Sequence, residues 1–331
     1  MKAVQATAFG GPQVLAVREL PDPEPAAGEV LVDVEAADVM FLDTRLRSGW
    51  GREFFTVDPP YVPGGGISGT VRAVGAEVDP AWIGTRVVGA TAASGIFGGV
   101  PTGGYAERAL ARADSLHVLP DRLSAEQACA LIHDGRTSVA LFDRADVRPG
   151  DHVLITAAAG GLGTLLIQLA RLAGATVVAA ARGQQKLALA RRLGAETAID
   201  YSEPGWTDRA RAATGGAGFR VVLDGAGGAL GDAALTTTAD GGRFLGYGSA
   251  AGSFGGSDSA AAAARGVEVI GLLDLRSAQQ DWRASAERAL ALAADGQWQV
   301  VIGQTYPLAE AEHAHVAIEA RTALGRTLLT V

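Results

Sequence analysis

The spacing of apolar residues changes partway along the chain. In the first third they largely alternate with polar ones. Glu29-Val30-Leu31-Val32-Asp33-Val34-Glu35 and Gly69-Thr70-Val71-Arg72-Ala73-Val74-Gly75 are rich in β-branched residues and bounded by Gly or Pro, the pattern of half-buried strands. Helical spacing shows only briefly, over 40–47. Short strands broken by frequent turns predict an all-β region over 1–121, a small barrel or sandwich.

Behind Leu116-His117-Val118-Leu119-Pro120-Asp121 the pattern becomes helical. Ser124-Ala125-Glu126-Gln127 is a capping box, in which the Ser side chain satisfies the N3 amide and Gln127 reaches back; it predicts a helix to about residue 141. Apolar runs at 152–156, 176–181, 197–200, 220–224, 242–246 and 267–273 then alternate with helical stretches, including 162–173 and 184–193. That alternation is the signature of a doubly wound parallel sheet. The Ala/Gly/Ser stretch at 249–264 falls where such a sheet needs a loop and a helix start. A helix over 277–294 precedes a strand, helix and strand at 299–304, 308–321 and 326–331. This tail is expected to rejoin the β region instead of extending the sheet.

A length of 331 residues suits two domains, and 48% hydrophobic against 19% charged residues leaves enough apolar side chain for two cores. The net charge of −8 argues against a nucleic-acid partner, since little here would displace phosphate counterions. One cysteine, Cys129, excludes an internal disulfide and a Cys-rich structural zinc site. The long uncharged run at 153–170 approaches a membrane-spanning length, but Gly160, Gly161 and Gly163 interrupt it and its period changes, so it reads as strand, turn and helix. The opening residues carry no apolar run with a cleavage site behind it. The expectation is a soluble, cytoplasmic protein with no membrane partner.

The sharpest chemical feature is Val153-Leu154-Ile155-Thr156-Ala157-Ala158-Ala159-Gly160-Gly161-Leu162-Gly163-Thr164. Ala158, Gly160 and Gly163 form Ala-x-Gly-x-x-Gly, a variant of the dinucleotide fingerprint between a strand and a helix. Small residues there permit a tight turn and close approach of backbone to a pyrophosphate, and the helix start offers unpaired N–H groups with a partial positive charge. At the end of the second strand, Ala179-Ala180-Ala181-Arg182-Gly183-Gln184-Gln185-Lys186 carries no acid for a ribose 2′-hydroxyl. The cations Arg182 and Lys186 would instead attract a 2′-phosphate, which points to NADPH.

With these residues in hand, the chain resembles the medium-chain dehydrogenase/reductases, in their zinc-free quinone oxidoreductase (zeta-crystallin-like) branch. The resemblance rests on Met1-Lys2-Ala3-Val4, Phe9-Gly10-Gly11-Pro12, Gly28-Glu29-Val30-Leu31-Val32, Gly103-Gly104-Tyr105-Ala106-Glu107, the glycine turn, Ala198-Ile199-Asp200-Tyr201 and Val222-Leu223-Asp224. It implies an α/β protein with a GroES-like β-barrel domain (1–121 and 298–331) and a Rossmann doubly wound parallel sheet (122–297), with substrate in a cleft and a homodimer formed through the last strand of the sheet. It also implies that Gly160, Gly161, Leu162 and Gly163 cover the pyrophosphate. Lys186 and Tyr201 would hold the 2′-phosphate end, and the loops at 225–228 and 246–249, with Gly225, Gly246, Tyr247 and Gly248, would line the nicotinamide side. The positions matching the zinc ligands of the alcohol-dehydrogenase branch are Met40, Gly65 with Gly66, and Asp134; only Asp134 could ligate, so no catalytic zinc is expected. Two positions depart from the zinc-free branch: its usual Asn is Met40, and its usual acid before Gly-x-Gly is lost at Gly66. Asp43 matches the branch.

The expected reaction is hydride transfer from NADPH to a quinone or an α,β-unsaturated carbonyl, which leaves an oxyanion in need of a proton. His133, beside Asp134, is a candidate donor, with Asp43 completing the catalytic set; Tyr61 and Tyr247 are others, and solvent is a further source. Met40, Trp50 and Tyr61 fall on the substrate side, Trp50 as a possible roof over a flat acceptor. Two other classes compete. A serine hydrolase would use Ser253 in Ala251-Gly252-Ser253-Phe254-Gly255, which lacks the first glycine of the nucleophile elbow. The other is an NADPH-binding sensor, or a catalyst of a non-redox step in the same pocket.

Overall fold

The computed structural model describes residues 1–94, 100–256, 258–277 and 280–331. The chain divides into two compact units, Met1–Arg136 with Trp282–Val331, and Thr137–Asp281.

The first unit opens with β1 (Lys2–Ala6) and β2 (Leu15–Glu19), an antiparallel pair, then β3 (Glu29–Val39), α1 (Phe41–Arg47), β4 (Gly66–Val74), β5 (Arg86–Ala90), β6 (Arg108–Arg112) and β7 (Leu116–Val118). The capping box forms as expected: Ser124 Oγ accepts from Gln127 N at 3.2 Å and Gln127 Oε1 from Ser124 N at 3.0 Å. The helix it starts is broken, however. α2 (Ala125–Ile132) ends at His133, and α3 (Asp134–Ala145) begins directly after it. The side chain at the break is drawn to Asp38 of β3.

The second unit is the alternating part. Its strands are β8 (His152–Thr156), β9 (Thr176–Ala181), β10 (Thr197–Asp200), β11 (Phe219–Asp224), β12 (Thr238–Gly246) and β13 (Glu268–Gly271). They form one parallel sheet in the order β10-β9-β8-β11-β12-β13, so the order reverses at β8. The helices between them are α4 (Gly161–Leu172), α5 (Gln184–Arg192), α6 (Trp206–Ala212), α7 (Gly228–Thr236) and α8 (Ser259–Ala264). Leu154, Val178, Val222 and Phe244, one on each of four strands, are fully buried in its core; each contributes about 1.5–3 kcal/mol by leaving water. The last strand stops short of the expected residue 273. Gly271 N donates to Asp274 Oδ2 at 2.7 Å, which starts α9 (Leu272–Ser277) instead.

The chain then returns to the first unit with α10 (Trp282–Ala294), β14 (Ile302–Pro307), α11 (Ala311–Glu319) and β15 (Arg326–Thr330). The helix expected from residue 277 starts later, and residues 278 and 279 of that expectation lie outside the described residues. β15 pairs antiparallel with β3, Thr327 opposite Val39 and Leu328 opposite Asp38, so the tail completes a sheet in the order β14-β15-β3-β4-β5-β7, with β6 also on β3. By contacts, α2 and α10 belong to this unit, not to the parallel sheet as the sequence pattern alone placed them: α2 packs on β3, β4 and β5, and α10 packs on α2.

A buried polar layer lies beneath α1. Asp43, the third residue of the helix, reaches back so that its Oδ2 accepts from Met40 N at 2.8 Å and from the Tyr105 hydroxyl at 3.1 Å. The same hydroxyl lies 3.1 Å from His315 Nε2. Burial, reinforced by the nearby Asp38 carboxylate, pushes Asp43 up to about 8, and burial holds His315 near 3. A carboxyl with a raised folded pKa favours the folded state while it is protonated. That contribution is complete at acid pH and is lost as pH rises from the ordinary 3.8 through about 8. Asp43→Asn, neutral throughout, should therefore gain stability relative to the parent as pH rises, when urea unfolding is compared at about pH 5 and about pH 8. An unchanged difference between the two would show that Asp43 is ionised in the fold.

Candidate active site

The bend after β8 is built by close contact. Ala157 takes a positive φ of 48°, Gly160 N donates to Ala157 O at 2.9 Å, and Gly160 caps α4 with its backbone alone. A Cβ at Gly163 would lie 2.6 Å from Ala157 O and 2.8 Å from Ala158 Cα, so only glycine lets the helix start this close to the strand. Ala158 and Ala159 are buried beneath it. The first-turn amides of Gly161, Leu162 and Gly163 have no carbonyl four residues back within the helix, and no side chain caps them. The result is a cradle for an anion at the point where the strand order reverses.

Beside it, the ends of β9 and β10 bring the expected adenosine-side residues together. Asp200 pairs with Ala181 across the sheet, and its Oδ2 accepts from Gly183 N at 2.8 Å while Oδ1 accepts from Ser202 N at 2.9 Å. Asp200 thus clamps the turn that carries Arg182, which is exposed, and Lys186, in the first turn of α5. Tyr201 follows directly, half-buried, with its ring edge-on to Trp206 at 6.4 Å. Its carboxylate already engaged, Asp200 leaves this corner to the two cations.

On the other side of the bend, Thr156 and Asp224 organise the next two loops. Thr156 Oγ donates to Asp224 Oδ1 at 2.5 Å and accepts from the amides of Gly225 and Ala226 at 3.0 and 3.1 Å, while Asp224 Oδ2 accepts from Gly227 N at 3.1 Å. Burial raises the Asp224 pKa against these donors. Tyr247 lies across Gly225, where a Cβ would come within 2.7 Å of its hydroxyl, and that hydroxyl sits 3.5 Å from Thr156 O. Gly248 packs on the Gly225 carbonyl. Gly246 ends β12 beside Asp224 of β11. Tyr247 is buried and turned into this loop stack, which makes it a packing element here, not an exposed proton donor. Thr156 and Asp224 were visible in sequence only as parts of motifs; their mutual bond spans 68 residues.

In the β unit, His133 and Arg326 converge on Asp38, and Arg326 also reaches Asp134. His133 Nδ1 is 2.8 Å from Asp38 Oδ2; Arg326 donates to Asp38 Oδ2 at 2.6 Å and to Asp134 Oδ2 at 2.9 Å; and Gly66 N donates to Asp38 Oδ1 at 3.1 Å. Burial opposes the ionisation of Asp38, but His133 and Arg326 outweigh it and hold the carboxyl at about 2. A side chain at Gly66 would collide with that carboxyl, since a Cβ there would lie 2.9 Å from Asp38 Cγ. Neither Arg326 nor Asp38 stands out in the sequence as a site residue; the register of β15 on β3 unites them.

The remaining expected residues scatter. Asp43, expected in the catalytic set, faces the interior and caps the start of α1. The Tyr61 hydroxyl is buried with no hydrogen-bond partner among the described residues, and burial pushes its phenol above the ordinary range, which disfavours it as a proton donor. Trp50 is 39% exposed beneath the Arg45 guanidinium, and Met40 is half-buried at the start of α1. Of the zinc-ligand positions, Asp134 alone has a ligating side chain and it is committed to Arg326; among the described residues no three His, Cys, Asp or Glu side chains are grouped to hold a metal.

Two family models match the chain: an alcohol dehydrogenase GroES-like domain over residues 26–121 and a zinc-binding dehydrogenase domain over 161–291. Among curated relatives, a quinone oxidoreductase of Pseudomonas aeruginosa is 32% identical and covers 99% of both chains, and quinone oxidoreductase 1 of Escherichia coli is 30% identical over 97% of this chain and 96% of its own. Among solved structures, the Escherichia coli quinone oxidoreductase complexed with NADPH superposes with a TM-score of 0.89 at 28% identity. A mycobacterial protein complexed with NADPH does so at 0.89 and 32%; in both cases the whole of each chain is covered. The parallel sheet bearing the glycine cradle, the β unit closed by its C-terminal tail and these full-length matches place the chain in the medium-chain dehydrogenase/reductase superfamily, in its quinone oxidoreductase branch.

Proposed function

We propose that this protein is an NADPH-dependent oxidoreductase that reduces quinones or α,β-unsaturated carbonyls without a metal. The observation that carries the reading is the cradle after β8: glycine is required at 163, and the uncapped helix-start amides are followed on the next strand-to-helix turn by the cations Arg182 and Lys186. The relatives solved with NADPH support the same cofactor. When bound, NADPH supplies a hydride from its nicotinamide ring. The chain would hold its pyrophosphate on the amides of Gly161, Leu162 and Gly163, and its 2′-phosphate on Arg182 and Lys186 with Tyr201 alongside. The loop stack of Gly225, Gly246, Tyr247 and Gly248, stiffened by Thr156 and Asp224, would orient the nicotinamide side.

With no metal to polarise the acceptor, the oxyanion left by hydride addition takes its proton from a side chain or from water, and we assign that role to His133. Met40 and Trp50 are assigned to the acceptor side. β13 lies at the edge of the sheet with one side unpaired among the described residues, and a second copy docking there would form a homodimer. Among the described residues no helix is long and apolar enough to cross a membrane, and we place the protein in the cytoplasm.

Consumption of NADPH, followed by its absorbance with 1,4-benzoquinone and with a 2-enone, should depend on both components. Saturable NADPH binding with no turnover across a broad acceptor panel would favour a sensor instead. Lys186→Ala should weaken NADPH by about 10–100-fold, the loss expected for a charge-assisted contact, and leave NADH nearly unchanged by titration calorimetry. Equal losses for the two cofactors would remove the 2′-phosphate from Lys186.

A further inference from the structure

We infer that Asp38 is a positioning residue that fixes the orientation and tautomer of His133, so that its Nε2 is the atom that delivers the proton to the reduced acceptor. The inference rests on the reductase reading above. The Asp38 carboxylate is completely buried and already receives Gly66 N on one oxygen and Arg326 on the other. An ionised carboxylate only accepts hydrogen bonds, so the 2.8 Å contact with His133 Nδ1 requires Nδ1 to carry the hydrogen. Nε2 is then bare in the neutral ring and an N–H in the charged one. The ring is 13% exposed, and Nε2 has no hydrogen-bond partner among the described residues. One face of the imidazole is therefore pinned and the other is open.

Arg326 completes the device. It spans Asp38 and Asp134, so the two buried carboxylates share one guanidinium, and the imidazolium adds a second positive charge when it forms. The carboxylate cannot swing away, because Gly66 N, Arg326 and the backbone of β3 hold it from separate directions. In the step itself the acceptor has taken a hydride, with both electrons, from NADPH and carries one negative charge on oxygen. The His133 Nε2–H bond breaks, a new O–H bond forms, and the ring is left neutral with Nδ1–H still on Asp38. Water returns the proton to Nε2, so the sum is acceptor, NADPH and one proton giving reduced acceptor and NADP⁺.

The test has a spectroscopic arm and a kinetic arm. Nitrogen-15 NMR of histidine-labelled parent protein should show neutral His133 with hydrogen on Nδ1, and Asp38→Asn should mix the two tautomers. In turnover, Asp38→Asn should lower kcat about 100-fold or more for a 2-enone, whose enolate needs a proton, while leaving KM for NADPH unchanged. A halogenated quinone, whose quinol is acidic enough to leave as the anion, should lose little. On a His133→Gln background, Asp38→Asn should cost nothing further. Hydrogen on Nε2 in the neutral parent overturns the inference even if the variants do not fold, and so do equal losses for both acceptors. A parent that turns over no acceptor at all instead defeats the reductase reading, while the tautomer measurement still judges the Asp38–His133 pair.

Discussion

The approach of the α4 backbone to the end of β8 is the constraint on which the proposed chemistry depends. Two strand-to-helix junctions can share an outline, but one will accept a pyrophosphate only if its first-turn amides are uncapped and no side chain fills the space before them. Here the first turn is uncapped because Gly160 at the N-cap has no side chain to offer, and the helix comes this close to the strand because Gly163 has no Cβ to meet the Ala157 carbonyl. Ala157 accommodates the bend with a left-handed backbone, which a non-glycine residue adopts only at some cost. Strain of that kind at the reversal point of a parallel sheet is consistent with a binding site and has no evident use in packing.

Within each unit the structure spends carboxylates on its own backbone. Asp200 clamps the turn after β9, Asp224 with Thr156 clamps the loop after β11, and Asp38 with Arg326 and Gly66 clamps His133. Each is an anion near a place where an anionic or electron-rich ligand is expected, and each has its oxygens already committed. Saturating these carboxylates with N–H and O–H donors keeps them from repelling a phosphate and makes the surrounding loops rigid. Asp38 is the extreme case. A fully buried ionised carboxylate is tolerable only with its partners in place, and breaking such a pair typically costs 3–5 kcal/mol. An arrangement of that cost has more meaning beside an open imidazole than it would deep in a core.

The branch's usual acid before Gly-x-Gly is missing at Gly66, and a carboxyl stands instead at Asp38 on the neighbouring strand, against the very space a side chain at 66 would fill. Read from sequence, the loss at Gly66 is a departure on the substrate side and nothing ties Asp38 to it. In the fold they are one local rearrangement, with the peptide N–H of Gly66 bonded to the carboxyl that occupies its side-chain volume.

Much of the architecture was legible because it rests on local periodicity. The alternation of β3 and β4, the Ser124 cap, the run of parallel strands and the small-residue bend each depend on neighbours within a dozen residues, and the pairing of cations Arg182 and Lys186 without an acid is likewise a local fact. What the chain alone could not show are relations between distant segments. The break at His133, the return of α2 and α10 to the β unit, the burial of Asp43 under Tyr105 and the meeting of Asp38 with Arg326 across 288 residues arise from strand register and packing. Periodicity states which face of an element is apolar. Only the assembled sheet decides which polar group lies opposite another, and there the tautomer of a histidine and the accessibility of a carboxyl are determined.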